Sequence, residues 1–250
     1  MELNVVSFNI RCCDDENGNS IAERAPRLDK IICKYEADII CFQEVTPVWM
    51  EYLEKYFGDE YKIYNVYRRA TNLESTPILW KKDKYKCIDK GCFWLSDTPE
   101  VESGGWDKIG CFRICVYTIL ENRNGGERFT VMNTHYGFGD KCQIDSSNLI
   151  YEYSKRISDY PTIVIGDFNM KPDSLGYMEM TRNFTDVNAV TDNDLSATFH
   201  GYHPGEKDNS HIDYCFIDGN IKPIGQKIIK DKVDNMFPTD HYGLHIKLSI

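Results

Sequence analysis

Short apolar runs rich in β-branched residues recur along the chain, and polar or turn-forming residues border each of them. Runs of this kind predict β-strands. On this basis the sequence predicts strands at 3–10, 38–42, 77–80, 114–120, 129–133, 162–165, 212–217 and 244–250. Asn124-Gly125-Gly126 lies between the fourth and fifth runs and is a strong hairpin signal, so those two strands are expected to be antiparallel.

Other stretches repeat apolar residues at the spacing of one helical face. They predict helices at 24–36, 47–57, 146–157 and 174–182. Strands of mixed direction with helices between them indicate an α/β fold in which helices cover the sheets. The absence of Gly-x-Gly-x-x-Gly and P-loop motifs argues against a dinucleotide-binding fold. A chain of 250 residues without a linker-like stretch is expected to form one domain over 1–250.

The chain is acidic, with 39 Asp and Glu residues against 29 Lys and Arg residues and a net charge of −10. This charge disfavours generic binding to nucleic acid, because such binding depends on clustered Lys and Arg. A phosphorylated substrate remains compatible with it, because a bound metal ion can reverse the local field.

The chain starts directly with a predicted strand and lacks the basic and long apolar regions of a signal peptide. No later stretch is apolar enough to span a bilayer, so we expect a cytoplasmic protein without a membrane span. The ten cysteines are spread over a chain large enough to build its own core and include no Cys-x-x-Cys pair. We therefore expect reduced thiols. The sequence contains no signal for the oligomeric state.

Polar residues stand at the ends of several predicted strands. Four acids and two histidines share this placement: Glu44, His135 and Asp167 follow apolar runs, and Asp213, Asp240 and His241 stand at or before the start of later ones. In a mixed sheet the ends of some strands meet the starts of others at one edge. We therefore expect these six side chains to converge. Each has an ordinary alternative role, as a turn former, a first-turn acid or a core histidine, and only their joint occurrence predicts an active centre.

Such a group of acids and imidazoles is costly to bury without a metal ion or extensive hydrogen bonding. Carboxylate and amide oxygens suit Mg²⁺ or Mn²⁺. His241 and His245 would share one face of a helix and suggest zinc, but on a strand they lie roughly 13 Å apart. We expect a strand here, and hence a Mg²⁺ or Mn²⁺ site.

The ordered motifs resemble those of the endonuclease/exonuclease/phosphatase superfamily over nearly the whole chain. They are Ser7-Phe8-Asn9, Gln43-Glu44, Asn133-Thr134-His135, Gly166-Asp167-Phe168-Asn169, Ile212-Asp213-Tyr214 and Thr239-Asp240-His241. The segments 91–99 and 105–107 are similar to those of a bacterial subgroup related to deadenylase-like members. The resemblance implies a four-layered α/β/β/α sandwich of two mixed, largely antiparallel sheets, with the active site at one edge of the sheets.

The resemblance also implies a role for each residue. Glu44 would be the main metal ligand, with Asn9 and Asp240 beside it, and Asp213 would pair with His241. Asp167 and Asn169 would face the scissile phosphate, which Arg113 would also contact. His135 would stabilise the transition state and would be oriented by Glu74. Either His241 or Asp167 can serve as the general base that activates water.

The implied activity is hydrolysis of a phosphate ester, with a phosphodiester in nucleic acid or a nucleotide as the first expectation. Aromatic and basic residues can stack bases and hold the phosphates of single-stranded nucleic acid, and the candidates are Tyr64, Tyr67, Arg68, Arg69 and Trp106. A phospholipid or sugar-phosphate substrate is the alternative. A catalytically silent binding module on the same fold is the alternative of another class, and the presence of all the acids and both histidines argues against it.

Overall fold

A computed structural model describes residues 1–107, 109–218 and 220–250. The strands are β1 (Glu2–Asn9), β2 (Ile39–Gln43), β3 (Tyr61–Tyr64), β4 (Ile78–Lys81), β5 (Tyr85–Trp94), β6 (Ile114–Asn122), β7 (Arg128–His135), β8 (Thr162–Asp167), β9 (Thr185–Asp186), β10 (Asp213–Ile217), β11 (Lys222–Ile229) and β12 (Gly243–Ser249). The helices are α1 (Ile21–Ile32), α2 (Pro47–Phe57), α3 (Asp140–Ile157), α4 (Leu175–Thr181) and α5 (Val187–Val190), and a 3₁₀ turn at Cys33–Tyr35 follows α1.

The strands form two six-stranded sheets. The first sheet has the order β11-β12-β1-β2-β4-β3, and the second has the order β5-β6-β7-β8-β10-β9. Only the pairs β1–β2 and β7–β8 are parallel among the described residues. This confirms the predicted α/β class with two mixed, largely antiparallel sheets, and the predicted hairpin joins β6 to β7.

Successive side chains of a strand point to opposite faces of its sheet. Each sheet therefore packs against the other sheet on one face and against helices on the other. In β1, Val5 packs between the two sheets while Val6 and Phe8 pack against α1 and α2. In β8, Ile163 and Ile165 point into the same inter-sheet core while Val164 packs under α3 and α4. The order of layers is therefore helices, first sheet, second sheet, helices.

Several boundaries differ from the sequence prediction. The interior strands were predicted, but β3, β5, β9 and β11 at the four sheet edges were not. Edge strands bury one face only in part, so their polar positions hide the apolar pattern; β5 also contains a bulge between Cys87 and Asp89. Helix α3 begins at Asp140 and not at residue 146. The prediction missed its first turns because they are polar and lack the apolar repeat. No helix of the described residues is long and apolar enough to cross a membrane.

An amide clamp holds the two sheets together just below the edge where the predicted site lies. The Gln43 side chain at the end of β2 donates to Asn133 Oδ1 on β7 over 2.7 Å. The Asn133 amide in turn donates to the carbonyls of Phe42 and Pro77, both over 2.8 Å. All these groups are buried, so the clamp fixes the spacing between the sheet edges.

Candidate active site

Three neighbouring strands of the second sheet bring an acid, an imidazole and a second acid together. In the register of the sheet, His135 on β7 lies beside Asp167 on β8, and Asp167 lies beside Asp213 on β10. Asp167 Oδ2 is 3.5 Å from His135 Nε2 and 3.8 Å from His241 Nε2. His241 Nδ1 lies 3.0 Å from Asp213 Oδ2. The predicted convergence of these four residues is confirmed.

The Gly166-Asp167-Phe168-Asn169 segment has a backbone that other residues could not adopt. Gly166 has φ +150°, and a Cβ there would meet the carbonyl oxygen of Thr134 at 2.0 Å. Asn169 has φ +50° and donates from its amide to the carbonyl of Tyr136 over 3.0 Å. The same amide nitrogen lies 3.0 Å from His135 Nε2, so Asn169 joins the cluster as predicted. Unfavourable backbone of this kind persists where the surrounding contacts over-determine it.

The first sheet supplies the other side of the cluster. Asn9, the last residue of β1, donates from Nδ2 to Glu44 Oε1 over 3.0 Å and to Asp167 Oδ2 over 2.9 Å. Glu44 has φ +62° and accepts a second bond at Oε2 from the backbone N–H of Cys12 over 2.9 Å. Asp240 precedes β12 and accepts from the Thr239 hydroxyl over 3.1 Å. The three predicted metal ligands therefore stand at one edge, and Asn9 bridges to the second sheet.

Glu74 does not make its predicted contact. Among the described residues its carboxylate is bonded by the Arg68 guanidinium and not by His135. The reason is local, because Arg68 and Glu74 face each other across the loop that joins β3 to β4, where the Arg68 N–H also donates to the Glu74 carbonyl. Glu74 still borders the same small cavity as Glu44, Arg113 and His135.

Arg113 and Trp106 lie in different surroundings. Arg113 is buried beside the cluster and lines the cleft, and its Nε and Nη1 have no hydrogen-bond partner among the described residues. Trp106 lies outside the cleft, in a neighbouring cavity of about 450 Å³, and donates from its indole N–H to Asp97 over 2.8 Å. Its predicted role in substrate binding stays a prediction.

The cleft above the cluster has a volume of about 600 Å³ and includes residues that the sequence patterns missed. Arg11, Phe138, Lys171 and Tyr202 line its walls. Three of them follow predicted motifs closely: Arg11 comes two residues after Asn9, Phe138 three after His135, and Lys171 two after Asn169. Proximity to a motif was the available signal, but the direction of each side chain depends on the loop conformation.

The second-sheet half of the cluster is electrostatically crowded. Burial and the neighbouring Asp213 carboxylate raise the pKa of Asp167 to about 7. Burial alone would lower the pKa of His241, but the charge and hydrogen bond of Asp213 raise it to about 10. Burial and the positive charge of Arg113 hold the pKa of the His135 imidazole well below its usual range. At pH 7 the site thus combines an imidazolium at His241, a neutral His135 and an Asp167 close to half-protonation.

Glu44, on the first-sheet side of the cluster, behaves in the opposite way to Asp167. Burial works to raise the pKa of Glu44, but the His135 ring and the N–H donors of Cys12 and Asn9 outweigh it and lower the pKa. Since His135 is neutral near pH 7, the two hydrogen bonds and the His241 imidazolium are the causes that operate there. Glu44 is therefore an ionised, half-buried carboxylate.

The donor atoms fit a hard divalent cation. Glu44 and Asp167 both accept from the Asn9 amide nitrogen, so three oxygen-bearing side chains meet at this point. Asp167, Asp213 and His241 can also hold an ion, with ligand atoms within 4.8 Å of one another. Oxygen donors dominate both groups, as expected for an ion such as Mg²⁺ or Mn²⁺ rather than a thiophilic one.

The family model of the endonuclease/exonuclease/phosphatase family matches residues 6–241. The chain belongs to this family. The match extends over both sheets and includes every predicted metal ligand and catalytic residue. Members of the family are phosphoesterases that generally use divalent metal ions, so the chain is a hydrolase of phosphoester bonds.

Solved structures of similar proteins support the assignment of the fold. An endonuclease/exonuclease/phosphatase family protein from Bacteroides thetaiotaomicron is 26% identical, with a TM-score of 0.91 over 99% of this chain and 97% of the other. The mannosyl-6-phosphatase Bt3783 of the same species is also 26% identical, with a TM-score of 0.89 over 99% of this chain and 100% of its own. TDP2 of D. rerio, solved with a single-strand DNA product, is 16% identical, with a TM-score of 0.80 over 100% of this chain and 99% of its own, and shows the fold alone.

Proposed function

We propose that the protein is a Mg²⁺- or Mn²⁺-dependent hydrolase of phosphate esters, in which Glu44, Asn9 and Asp240 hold the cation. The supporting observation is the buried cluster at the floor of the cleft, where Asp167 Oδ2 accepts from Asn9 and lies within 3.8 Å of two imidazoles. A bound cation would supply positive charge to the phosphoryl oxygens and neutralise the acids that surround them.

In this proposal Asp167 is the general base that takes a proton from the attacking water. Its raised pKa suits that task near neutral pH, whereas a protonated His241 cannot accept a proton. His241, oriented by Asp213, directs Nε2 into the cleft and donates to a phosphoryl oxygen as negative charge develops. The reverse assignment, with His241 as base, requires the imidazole to lose its proton beside the Asp213 carboxylate.

Arg113, His135 and Asn169 complete the set of proposed contacts to the phosphate. In the part of the chain that the structure describes, Arg113 Nε and Nη1 have no acceptor, and a phosphate bound in the cleft that Arg113 lines would provide one. The Asn169 side chain lines the same part of the cleft beside His135 Nε2. Burial keeps Arg113 and His135 fixed, so little reorganisation is needed when charge develops.

We propose a phosphodiester of a nucleotide or a short single-stranded nucleic acid as the first substrate class. Phe138 is 57% exposed and borders both the cleft and the neighbouring cavity. Ile109, 77% exposed, and Trp106 line that cavity with it, so an apolar wall continues outward from the phosphate position. Such a wall can stack a base. Trp106 thus keeps a proposed role in substrate binding, one step away from the phosphate.

A sugar phosphate is the second candidate, because one rim of the cleft is acidic and aromatic. Asp15 and Asp208 line the cleft together with Phe199 and Tyr202. Carboxylates accept hydrogen bonds from hydroxyl groups, so this rim can hold a small polyhydroxylated ester. The mannosyl-6-phosphatase among the similar structures is consistent with this candidate.

A substrate panel assayed with Mg²⁺, with Mn²⁺ and with chelator tests the proposal. It should contain poly(A), single-stranded DNA, a dinucleotide, hexose phosphates and a phospholipid head-group ester. Cation-dependent turnover of at least one ester is expected. Absence of cation-dependent turnover throughout the panel would point instead to a binding module.

The variant Phe138→Ala separates the two substrate classes. Loss of the ring should raise KM for the dinucleotide, because a stacked base contributes about 1–3 kcal/mol of binding free energy. KM for a hexose phosphate should stay unchanged. Lys155→Ala, which removes an exposed side chain of α3 remote from the cleft, is the matched control. Equal effects of Phe138→Ala on both substrates would remove the support for a stacked base.

A further inference from the structure

Arg24 on α1 is completely buried and donates all its hydrogen bonds to the backbone of one loop. Its guanidinium contacts the carbonyls of Ile10 over 2.5 Å, Arg11 over 3.1 Å, Cys13 over 2.5 Å and Asn19 over 2.8 Å. These residues span the connection between β1 and α1. One side chain therefore sets the path of the whole loop.

This loop supplies the backbone donor that orients Glu44. Cys12 N–H donates to Glu44 Oε2, and Cys12 lies between two of the residues whose carbonyls Arg24 binds. The donor position depends on an unfavourable backbone, since Arg11 has φ +59° and Glu44 itself has φ +62°. A loop of this kind needs external contacts to keep one conformation.

The surroundings of Arg24 indicate that its charge serves this loop. No carboxylate lies within ion-pair distance of it among the described residues, so the four carbonyls and the Trp49 ring, 5.2 Å from the guanidinium carbon, provide its compensation. Trp49 also donates to the Arg11 carbonyl over 2.8 Å. A planar guanidinium with five donors can satisfy several carbonyls at once, whereas a lysine ammonium cannot match that geometry.

We propose that Arg24 is a positioning residue for the cation site, acting through the Cys12 N–H on Glu44. This inference rests on the proposed function, because it assigns Glu44 as a cation ligand. Groups that orient a metal ligand from outside commonly change metal affinity by 10–100-fold when replaced.

Direct Mn²⁺ binding to the full chain, measured by electron paramagnetic resonance of the free ion, tests the proposal without relying on turnover. Arg24→Lys should fold, as judged by circular dichroism, and bind Mn²⁺ about tenfold more weakly than the wild type. Arg27→Met is the matched control on the same helix. Arg27 contacts the far end of the loop at the Gly18 carbonyl and a separate segment at the Phe237 carbonyl, so its loss should lower Tm without changing Mn²⁺ affinity.

Wild-type Mn²⁺ affinity in folded Arg24→Lys would overturn the inference. If Arg24→Lys does not fold, Trp49→Phe provides the second test, because it removes the indole N–H from the Arg11 carbonyl and keeps an aromatic ring. Weaker Mn²⁺ binding in Trp49→Phe would support the proposal, and unchanged binding would overturn it. Absence of Mn²⁺ binding in the wild type would instead remove the proposed function itself, so the two failures are distinguishable.

Discussion

Glu44 and Asp167 are carboxylates joined through the amide of Asn9, yet their surroundings act on them in opposite directions. Glu44, on the first sheet, accepts N–H donors and has a lowered pKa. Asp167, on the second sheet, lies beside Asp213 and has a pKa raised to about 7. One carboxylate is thus kept charged, as a cation ligand must be, and the other is poised to exchange a proton. Because the two sheets meet at this edge, both carboxylates can act on the same bound substrate.

The isosteric variants Glu44→Gln and Asp167→Asn should separate the two roles, and they are expected to have the largest effect. Each should reduce kcat by about 10²–10⁴-fold, because one loses a cation ligand and the other the general base. Only Glu44→Gln should also raise the Mn²⁺ concentration needed for half-maximal binding. Activity assays on the best panel substrate, combined with Mn²⁺ titrations, measure both quantities.

Asp83→Asn, in the exposed turn between β4 and β5, is the matched control and should leave both quantities unchanged. If Asp167→Asn lost Mn²⁺ binding as completely as Glu44→Gln, the division between the two carboxylates would be wrong.

Gly166→Ala should disturb the second-sheet half alone and has the next largest effect. A Cβ at this position would lie 2.0 Å from the Thr134 carbonyl, and a φ of +150° is nearly inaccessible to alanine, so we expect destabilisation by about 2–4 kcal/mol. Gly126→Ala is the control, because Gly126 has φ +77° with no atom within 4 Å of its added Cβ and should cost only about 1–2 kcal/mol.

Urea unfolding measures the free energy of unfolding of both glycine variants. Mn²⁺ affinity should persist in folded Gly166→Ala, because Glu44 and Asp240 lie on the other side of the site. Equal destabilisation by the two substitutions would mean that the close approach of Gly166 to Thr134 does not determine the loss of stability.

The sequence patterns predicted the features that repeat along the chain and missed those that depend on one non-local contact. Interior strands are apolar on both faces, so their ends, and the convergence of Asp167, Asp213 and His241, followed from the sequence. The pairing of Glu74 with Arg68 and the place of Trp106 outside the cleft depend on loop paths that no periodicity encodes.

The edge strands and the walls of the cleft were missed for a related reason. Strands β5 and β11 expose alternate residues at sheet edges, which weakens the apolar signal. Phe138 was not predicted as a wall residue, because an exposed aromatic beside a motif has no pattern that distinguishes it from ordinary surface.

The pH dependence of stability in the presence of chelator should show a small change per pH unit, and it tests the second-sheet half directly. The folded pKa of His241, about 10, lies above the ordinary value near 6.5, so its contribution is complete below about pH 6.5 and is lost as the pH rises towards 10. One such group changes the free energy of unfolding by at most about 1.4 kcal/mol per pH unit. The difference in this free energy between wild type and His241→Gln should therefore shrink between pH 6.5 and 10. A difference that stays constant over this window would show that Asp213 does not hold the imidazole in its charged form, and His241 would then be available as the base in place of Asp167.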